Sequence, residues 1–516
     1  MSARPSTMEA PAGDTTRPGH AAAPPAWPTL FPLVLILALF ALVYAGDLGR
    51  GRMLGWDESE YAGIGRGMLR GEGYQTYGRP EAMRLPMVPL LVAATLAVAP
   101  HAGDTGLRVT GLLGMLAVIA ATWLAVARAT DRATAAAAAL LLGAMPMIQV
   151  LATLVLSEAP FLLWFSVAVW AFHDGLEGRS RSFLACGAAV GLAALTRYVA
   201  WLFVPVAALM LLARLSTLRP RELVRRTIGT RAFRFAPLVA LLVLAPWLLR
   251  SMLVFGDPIE GPRESLSSAS TWGIEPWSGY LTQLPLTAGW PVLIAGALGV
   301  VVAARERGSA AMTALIAGVV VTAAHSRWAH KEDRYISAAL PFLATLAAIG
   351  LARAARSLLA RSLAARFAPF AAPALAIAIA VAALGSDAKR RLEIDPAGYP
   401  ILLQALDTVR DSSAPGQIVI GASGPLIRWH ADRPVRPFPD RLDDLPAALG
   451  PAAWVVFVNF ERMQPDWAAG LTDRLTTGDA LRGDVKAFRD GAFRVVIARA
   501  STLAARHAAG GSSTGR

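Results

Sequence analysis

Residues 30–46 read LFPLVLILALFALVYAG, and residues 55–61 read GWDESEY. The first stretch holds no acidic or basic side chain and is about as long as a helix must be to cross a hydrocarbon core some 30 Å thick. The second brings Asp57, Glu58 and Glu60 to the edge of that apolar block. Carboxylates at a membrane boundary are costly unless other groups offset their charge. The rest of the chain is therefore read with two questions: where the apolar blocks recur, and what meets those acids.

Apolar blocks recur at roughly 107–127, 133–151, 159–173, 183–197, 199–213, 235–254, 288–304, 310–325, 335–352 and 368–385. Across all 516 residues, 55% are hydrophobic and only 16% charged, too little charge to cover a soluble protein of this size. The net charge of +13 is carried almost entirely by Arg, and in a chain of this kind it marks basic loops on one membrane face rather than nucleic-acid binding. The single cysteine, Cys186, excludes a disulfide framework and a Cys-based metal site.

A further block, Leu85 to Pro100, decides the topology. If it lies on the surface, the Arg clusters at 128–132, 179–181, 214–234, 305–307 and 353–366 all share the cytoplasmic face. If it spans, every cluster is reversed, against the positive-inside rule. The expected fold is thus a mainly α-helical polytopic membrane protein with about 11 spans, external surface helices and a small C-terminal α/β domain. Its parts are a disordered cytoplasmic N-terminus (1–28), a transmembrane domain (29–385) with an external loop (48–106), an external α/β domain (386–502) and a flexible tail (503–516). In the α/β domain, 417–421, 454–459 and 493–498 have strand character and alternate with helical patterns at 405–411, 425–430 and 467–475.

Several chemistry-bearing residues fall on the external side of this topology. Asp57 can act as general base or metal ligand with Glu58 orienting it, although a helix N-terminus also favours such acids. Glu158, in Leu156-Ser157-Glu158-Ala159-Pro160, lies at the same face and either joins Asp57 around a hard divalent cation (Mg, Mn or Zn) or sits in a capped first turn with Ser157 as cap. Arg84, Arg197, Arg263 and Arg334 are bidentate phosphate partners by chemistry; snorkelling to anionic lipids is the competing account. Trp272 can stack on a sugar ring or belong to an interfacial aromatic belt.

The ordered set Trp56-Asp57-Glu58 with Tyr61, Arg84-Leu85-Pro86, Arg108, Ser157-Glu158, Leu195-Thr196-Arg197-Tyr198, Pro246-Trp247 with Arg250, Phe255-Gly256-Asp257-Pro258, and Arg334-Tyr335 with Pro341 resembles the multi-span (GT-C type) glycosyltransferases that use lipid-phosphate-linked sugars. These include protein O-mannosyltransferases and the lipid A aminoarabinose transferases. The resemblance implies a hexosyl- or pentosyltransferase of the bacterial plasma (inner) membrane, with its active site and C-terminal domain on the external or periplasmic side. The donor would be a polyprenyl-phosphate sugar and the acceptor a glycan, lipid or protein. Asp57 would deprotonate or position the acceptor, Glu158 would help hold a metal, and Arg84, Arg197, Arg263, Arg334 and Tyr335 would grip the donor phosphate. Tyr61 and Trp272 would face sugar or acceptor. A transporter or lipid flippase is the alternative, and it calls for internal repeats and mid-bilayer charges that the sequence does not display.

Overall fold

In the computed structural model the described residues are 27–48, 53–270, 275–307, 309–328, 331–360, 366–392, 399–450, 452–460, 464–476 and 484–504. Of the expected terminal segments 1–28 and 503–516, only residues 27–28 and 503–504 are among them.

Each of the eleven expected spans is helical: α1 (Trp27–Leu48), α4 (Gly103–Ala129), α5 (Arg132–Ala144), α7 (Glu158–Leu176), α8 (Ser182–Ala194), α9 (Phe203–Leu215), α11 (Arg231–Phe255), α14 (Trp290–Arg305), α15 (Ala310–Ser326), α16 (Leu340–Leu359) and α17 (Ala368–Leu384). Among the described residues, six helices are long and apolar enough to cross a membrane, and the number is seven if α13 (Gly279–Ala288) and α14, bent by 109° at their junction, are counted as one span. The remaining four are apolar helices of 10–17 residues. α3 (Met87–Val98) has 12 residues and so rises about 18 Å.

Three expected blocks are not continuous α-helices; one of them, 335–352, opens with a 3₁₀ segment, Asp333–Ala339, before α16. The 133–151 block ends as α5 at Ala144 and restarts at Pro146 as α6 (Pro146–Leu151), because proline cannot donate to the preceding turn. The 199–213 block opens with a 3₁₀ segment, Tyr198–Leu202.

Small residues let these helices approach closely, as packing in lipid requires. A Cβ added at Gly299 in α14 would lie 2.1 Å from the Leu346 carbonyl oxygen of α16, and one at Gly187 in α8 would lie 2.2 Å from the Ala236 carbonyl oxygen of α11. α2 (Trp56–Leu69) and α3 lie in the connection between α1 and α4, beside a small antiparallel pair, β1 (Gln75–Thr76) and β2 (Arg79–Pro80).

The C-terminal region forms the expected small α/β domain. Its five-stranded sheet has the order β4-β3-β5-β7-β6, from β3 (Ile418–Gly421), β4 (Val435–Arg436), β5 (Ala452–Val458), β6 (Val485–Asp490) and β7 (Phe493–Arg499). β3 runs parallel to β4 and β5, whereas β7 is antiparallel to β5 and β6. The helical pattern expected at 425–430 is largely a π-helical turn, Ile427–Ala431.

That turn grips α2. The Arg66 guanidinium stacks over the Trp429 ring at 4.5 Å and donates to the Trp429 carbonyl oxygen at 3.1 Å. Trp429 Nε1 donates to Asp104 Oδ1 at 2.7 Å, while Asp104 Oδ2 accepts from the Leu54 backbone N–H at 3.0 Å, just before α2 begins. Arg70 pairs with both oxygens of Asp432, at 2.7 and 2.9 Å. Arg428 reaches the Gln75 carbonyl oxygen and Glu72, each at 2.9 Å. The helix carrying Asp57 is thus held on one side by the α/β domain and on the other by the bundle.

Gly299→Val should lower the thermal stability of the detergent-solubilised protein by about 1–3 kcal/mol through overpacking at α16. Val301→Ala, at a position 49% exposed on the same helix, should leave the midpoint nearly unchanged.

Candidate active site

A cavity of about 280 Å³ opens beside α2 at one end of the bundle, where α7 and α16 begin and α8 and α15 end. Its walls include Asp57, Tyr61, Arg84, Ser157, Arg197, Tyr198, His325, Glu332, Arg334 and Tyr335. Six residues singled out in the sequence therefore meet here: Asp57, Tyr61, Arg84, Arg197, Arg334 and Tyr335.

Asp57 is clamped between two guanidiniums, with Arg84 Nη2 on Oδ1 at 2.9 Å and Arg334 Nη2 on Oδ2 at 2.6 Å. Burial opposes its charge, but Arg84, Arg334 and Arg197 outweigh this and hold its carboxyl well below the usual carboxylate range. Such a carboxylate is a weak proton acceptor. It suits orientation and electrostatics better than the general-base role expected for it.

Arg84 also donates through Nε to Glu60 at 2.7 Å, and its guanidinium lies 5.7 Å from the Tyr61 ring centre. Arg334 reaches Glu332 at 2.5 Å, and Tyr335 donates its hydroxyl to the same carboxylate at 3.0 Å. Glu332 is half-buried, which works against its charge, but Arg334 brings its carboxyl below the ordinary value.

Glu158 lies beneath the cavity floor, 2% exposed. Its Oε1 takes Arg197 Nη1 at 2.5 Å and has Arg334 Nε at 3.7 Å, while Oε2 is buried with no hydrogen-bond partner. The expected metal site must be corrected on this geometry. Arg334 occupies the space between Asp57 and Glu158, and no group of three His, Cys, Asp or Glu side chains able to hold an ion forms among the described residues. Ser157 stands at the N-cap of α7 but its hydroxyl makes no capping bond; it accepts from Arg197 Nη1 at 3.0 Å.

Glu58 is a second correction. One helical step from Asp57 turns it away from the cavity, where Oε2 accepts from the Gly55 N–H and Oε1 from the Val155 N–H, both at 2.9 Å. Burial raises its carboxyl above the ordinary value, with Arg108 opposing. It anchors the start of α2 to the loop before α7. Arg263 is a third: it sits on α12 (Glu260–Ser270), its side chain 64% exposed, paired with Asp257 at 2.6 Å and Glu260 at 3.5 Å. It does not line the cavity. Trp272 lies outside the described residues.

The sequence reading missed Glu332 and His325 as cavity residues. Glu332 belongs to the charged run Lys331-Glu332-Asp333-Arg334, which signalled it; His325 closes α15 with no sequence signal beyond being an ionisable group at a helix end.

After these pairings, Nη1 of Arg84 and of Arg334, and Nε and Nη2 of Arg197, make no hydrogen bond to a described residue. Three fixed cations with spare donors around one cavity can accept the oxygens of an anionic group.

Arg197→Met should destabilise the protein by about 3 kcal/mol, because Glu158 loses the cation that compensates its burial. Glu158→Gln in that background should recover most of the loss, and thermal unfolding of the three variants in detergent measures the coupling.

Comparison with known proteins agrees with this architecture. Residues 79–249 match the family model described as dolichyl-phosphate-mannose-protein mannosyltransferase. No curated protein matches the chain. Among solved structures, ArnT from Cupriavidus metallidurans bound to undecaprenyl phosphate superposes with a TM-score of 0.67 and 18% identity, over 91% of this chain and 98% of that one. The Archaeoglobus fulgidus oligosaccharyltransferase in complex with zinc and sulfate gives a TM-score of 0.55 at 14% identity, over 82% of this chain and 67% of that one. The same enzyme tethered to an acceptor peptide gives 0.58 at 14% identity, over 86% and 72%. The chain thus has the fold of the multi-span GT-C glycosyltransferases that its sequence resembles.

Proposed function

We propose that the protein is a membrane glycosyltransferase that moves a hexosyl or pentosyl group from a polyprenyl-phosphate donor to a glycan, lipid or protein acceptor at the external face of a bacterial plasma membrane. The observation that carries this reading is the gathering of Arg84, Arg197 and Arg334 around one cavity with Asp57 between two of them. The undecaprenyl phosphate bound by ArnT, a protein of the same fold, supports a lipid phosphate as the ligand.

The difficult step is departure of the lipid phosphate from the anomeric carbon. Preorganised guanidiniums stabilise the charge that develops there without reorganisation, which is the largest contribution such a site offers. The spare Nη1 groups of Arg84 and Arg334 and the Nε and Nη2 of Arg197 are the donors for the phosphate oxygens. Tyr335 lies under Arg197, ring centre to guanidinium 5.1 Å, and fixes its plane. Asp57 keeps Arg84 and Arg334 turned to the cavity and offers its oxygens to the acceptor hydroxyl. Tyr61, on the next turn of α2, borders the space where sugar and acceptor meet. External placement is supported by the Arg-rich loops at the opposite end of the helices, where Arg356 pairs with Asp131 and Arg353 with Glu306.

In detergent, the wild-type protein should bind undecaprenyl phosphate far more tightly than undecaprenol. Arg84→Gln should weaken that binding by about tenfold to a hundredfold, the value of a hydrogen bond to a charged group. Asp57→Asn should fold, insert and bind the phosphate lipid yet lose sugar transfer. Equal binding of the two lipids, or wild-type turnover by Asp57→Asn, contradicts the reading.

A further inference from the structure

The helix that carries Asp57 is weak by composition. α2 has glycine at 63, 65 and 67, and each lowers helix propensity relative to alanine. These glycines allow close approach on two sides. A Cβ added at Gly65 would lie 2.7 Å from Val92 Cγ1 and 2.8 Å from the Pro89 carbonyl oxygen of α3. Gly63 and Gly67, one turn apart, face the C-terminal domain, where added Cβ atoms would lie 3.4 Å from Arg428 Cδ and 2.8 Å from Arg428 Nη2. The Arg428 side chain thus lies in a trough that the missing Cβ of Gly67 leaves open.

From that trough Arg428 reaches a second element. Its Nη1 donates to the Gln75 carbonyl oxygen and its Nη2 to Glu72, each at 2.9 Å, and the side chain is only 15% exposed. Gln75 opens the β1–β2 hairpin, which is tied closely to Arg84. The Glu81 N–H donates to the Tyr74 carbonyl oxygen at 3.2 Å, and Glu81 Oε1 accepts from the Met83 and Arg84 N–H groups at 2.8 and 2.9 Å. Tyr74 donates its hydroxyl to the Arg84 carbonyl oxygen at 2.8 Å. One guanidinium of the C-terminal domain therefore joins the helix that carries Asp57 to the hairpin that carries Arg84.

Backbone strain gathers at the same joint. Among the described residues, Tyr77 and Asp432 are the non-glycine positions with positive φ, at +54° and +52°. Tyr77 and Gly78 (φ +75°) form the two-residue turn of the hairpin, where the first place normally falls to Asn, Asp or Gly. The Tyr77 ring packs on Gly424, where an added Cβ would lie 2.4 Å from its Cε1, and Asp432 pairs with Arg70 just past α2. Strained residues persist only where their surroundings hold them, and they cluster where position matters to function.

We infer that Arg428 is a positioning residue for the transfer step, setting Asp57 and Arg84 relative to each other from the far side of α2. The inference rests on the function proposed above, and it gives the C-terminal domain a part in catalysis. Arg428 does not line the cavity, so it acts through the two elements it joins. Asp57 and Arg84 meet at 2.9 Å, and a shift of about 1 Å in such a preorganised pair can cost on the order of a hundredfold in rate.

The test measures transfer of a radiolabelled polyprenyl-phosphate sugar, binding of undecaprenyl phosphate and thermal unfolding, all in detergent, for wild type, Arg428→Ala, Arg428→Lys and Gly67→Ala. In Arg428→Ala, kcat should fall by about tenfold to a hundredfold, while KM for the donor and Kd for undecaprenyl phosphate change by less than about threefold. Added guanidinium chloride should restore part of kcat in that variant, saturably, and urea should not. Arg428→Lys keeps the charge without the fork and should fall between Arg428→Ala and wild type. Gly67→Ala improves the helix but crowds Nη2, so kcat should drop severalfold with no loss in unfolding midpoint. Unchanged kcat in Arg428→Ala or in Gly67→Ala overturns the inference and leaves the glycosyltransferase reading standing. Transfer lost in step with lipid binding, or lost without relief by guanidinium, shows a structural brace alone and overturns it too. A wild-type protein that transfers from no polyprenyl-phosphate sugar removes both readings.

Discussion

Arg334 is the residue on which the site depends. Its guanidinium sits between Asp57 and Glu332 and comes within 3.7 Å of Glu158, so one cation serves three carboxylates drawn from α2, α7 and the segment before α16. Arg84 and Arg197 extend the arrangement on either side through Asp57, Glu60 and Glu158. Buried charges of one sign persist only where the other sign is supplied at short range, so none of these side chains can be assembled alone. The cavity is a consequence of this mutual requirement as much as of helix packing.

The same charge balance bears on chemistry. Each guanidinium is fixed by a carboxylate through part of its fork, and the remaining nitrogens make no hydrogen bond to a described residue. The cations are therefore oriented before a substrate arrives, which is the condition under which electrostatic stabilisation costs no reorganisation. Asp57 and Glu332, which orient Arg84 and Arg334, give up basicity in doing so.

Much of the fold was legible because a bilayer imposes a length on every segment that crosses it. The blocks from 30–46 to 368–385 all became helices for that reason. The surface placement of Leu85–Pro100 followed from Arg distribution and agrees with the 12 residues of α3. Convergence of Asp57 and Arg334 was not readable from spacing, since they lie 277 residues apart; only the resemblance and shared face brought them together. Asp57 and Glu58 are indistinguishable in sequence, but one helical step sends them to opposite surroundings. Arg263 had its partners three and six residues upstream, Glu260 and Asp257, a local signal that outweighed its place among the external cations. Val485–Asp490, an edge strand carrying Lys486, Arg489 and Asp490, lacked the apolar pattern that revealed its neighbours in the sheet.

The grip of the π-helical turn on α2 also has a temporal side. Arg66 and the carbonyl of Trp429 meet across 363 residues of chain, so the support for the acidic helix is synthesised long after the helix itself. During translation the bundle can form while α2 still lacks its outer brace, and contacts so distant in sequence are the slow ones to establish. The acidic helix is thereby left without its outer brace until the last domain has folded. A chain cut short after α17 would retain its membrane helices with the acidic helix braced on one side only.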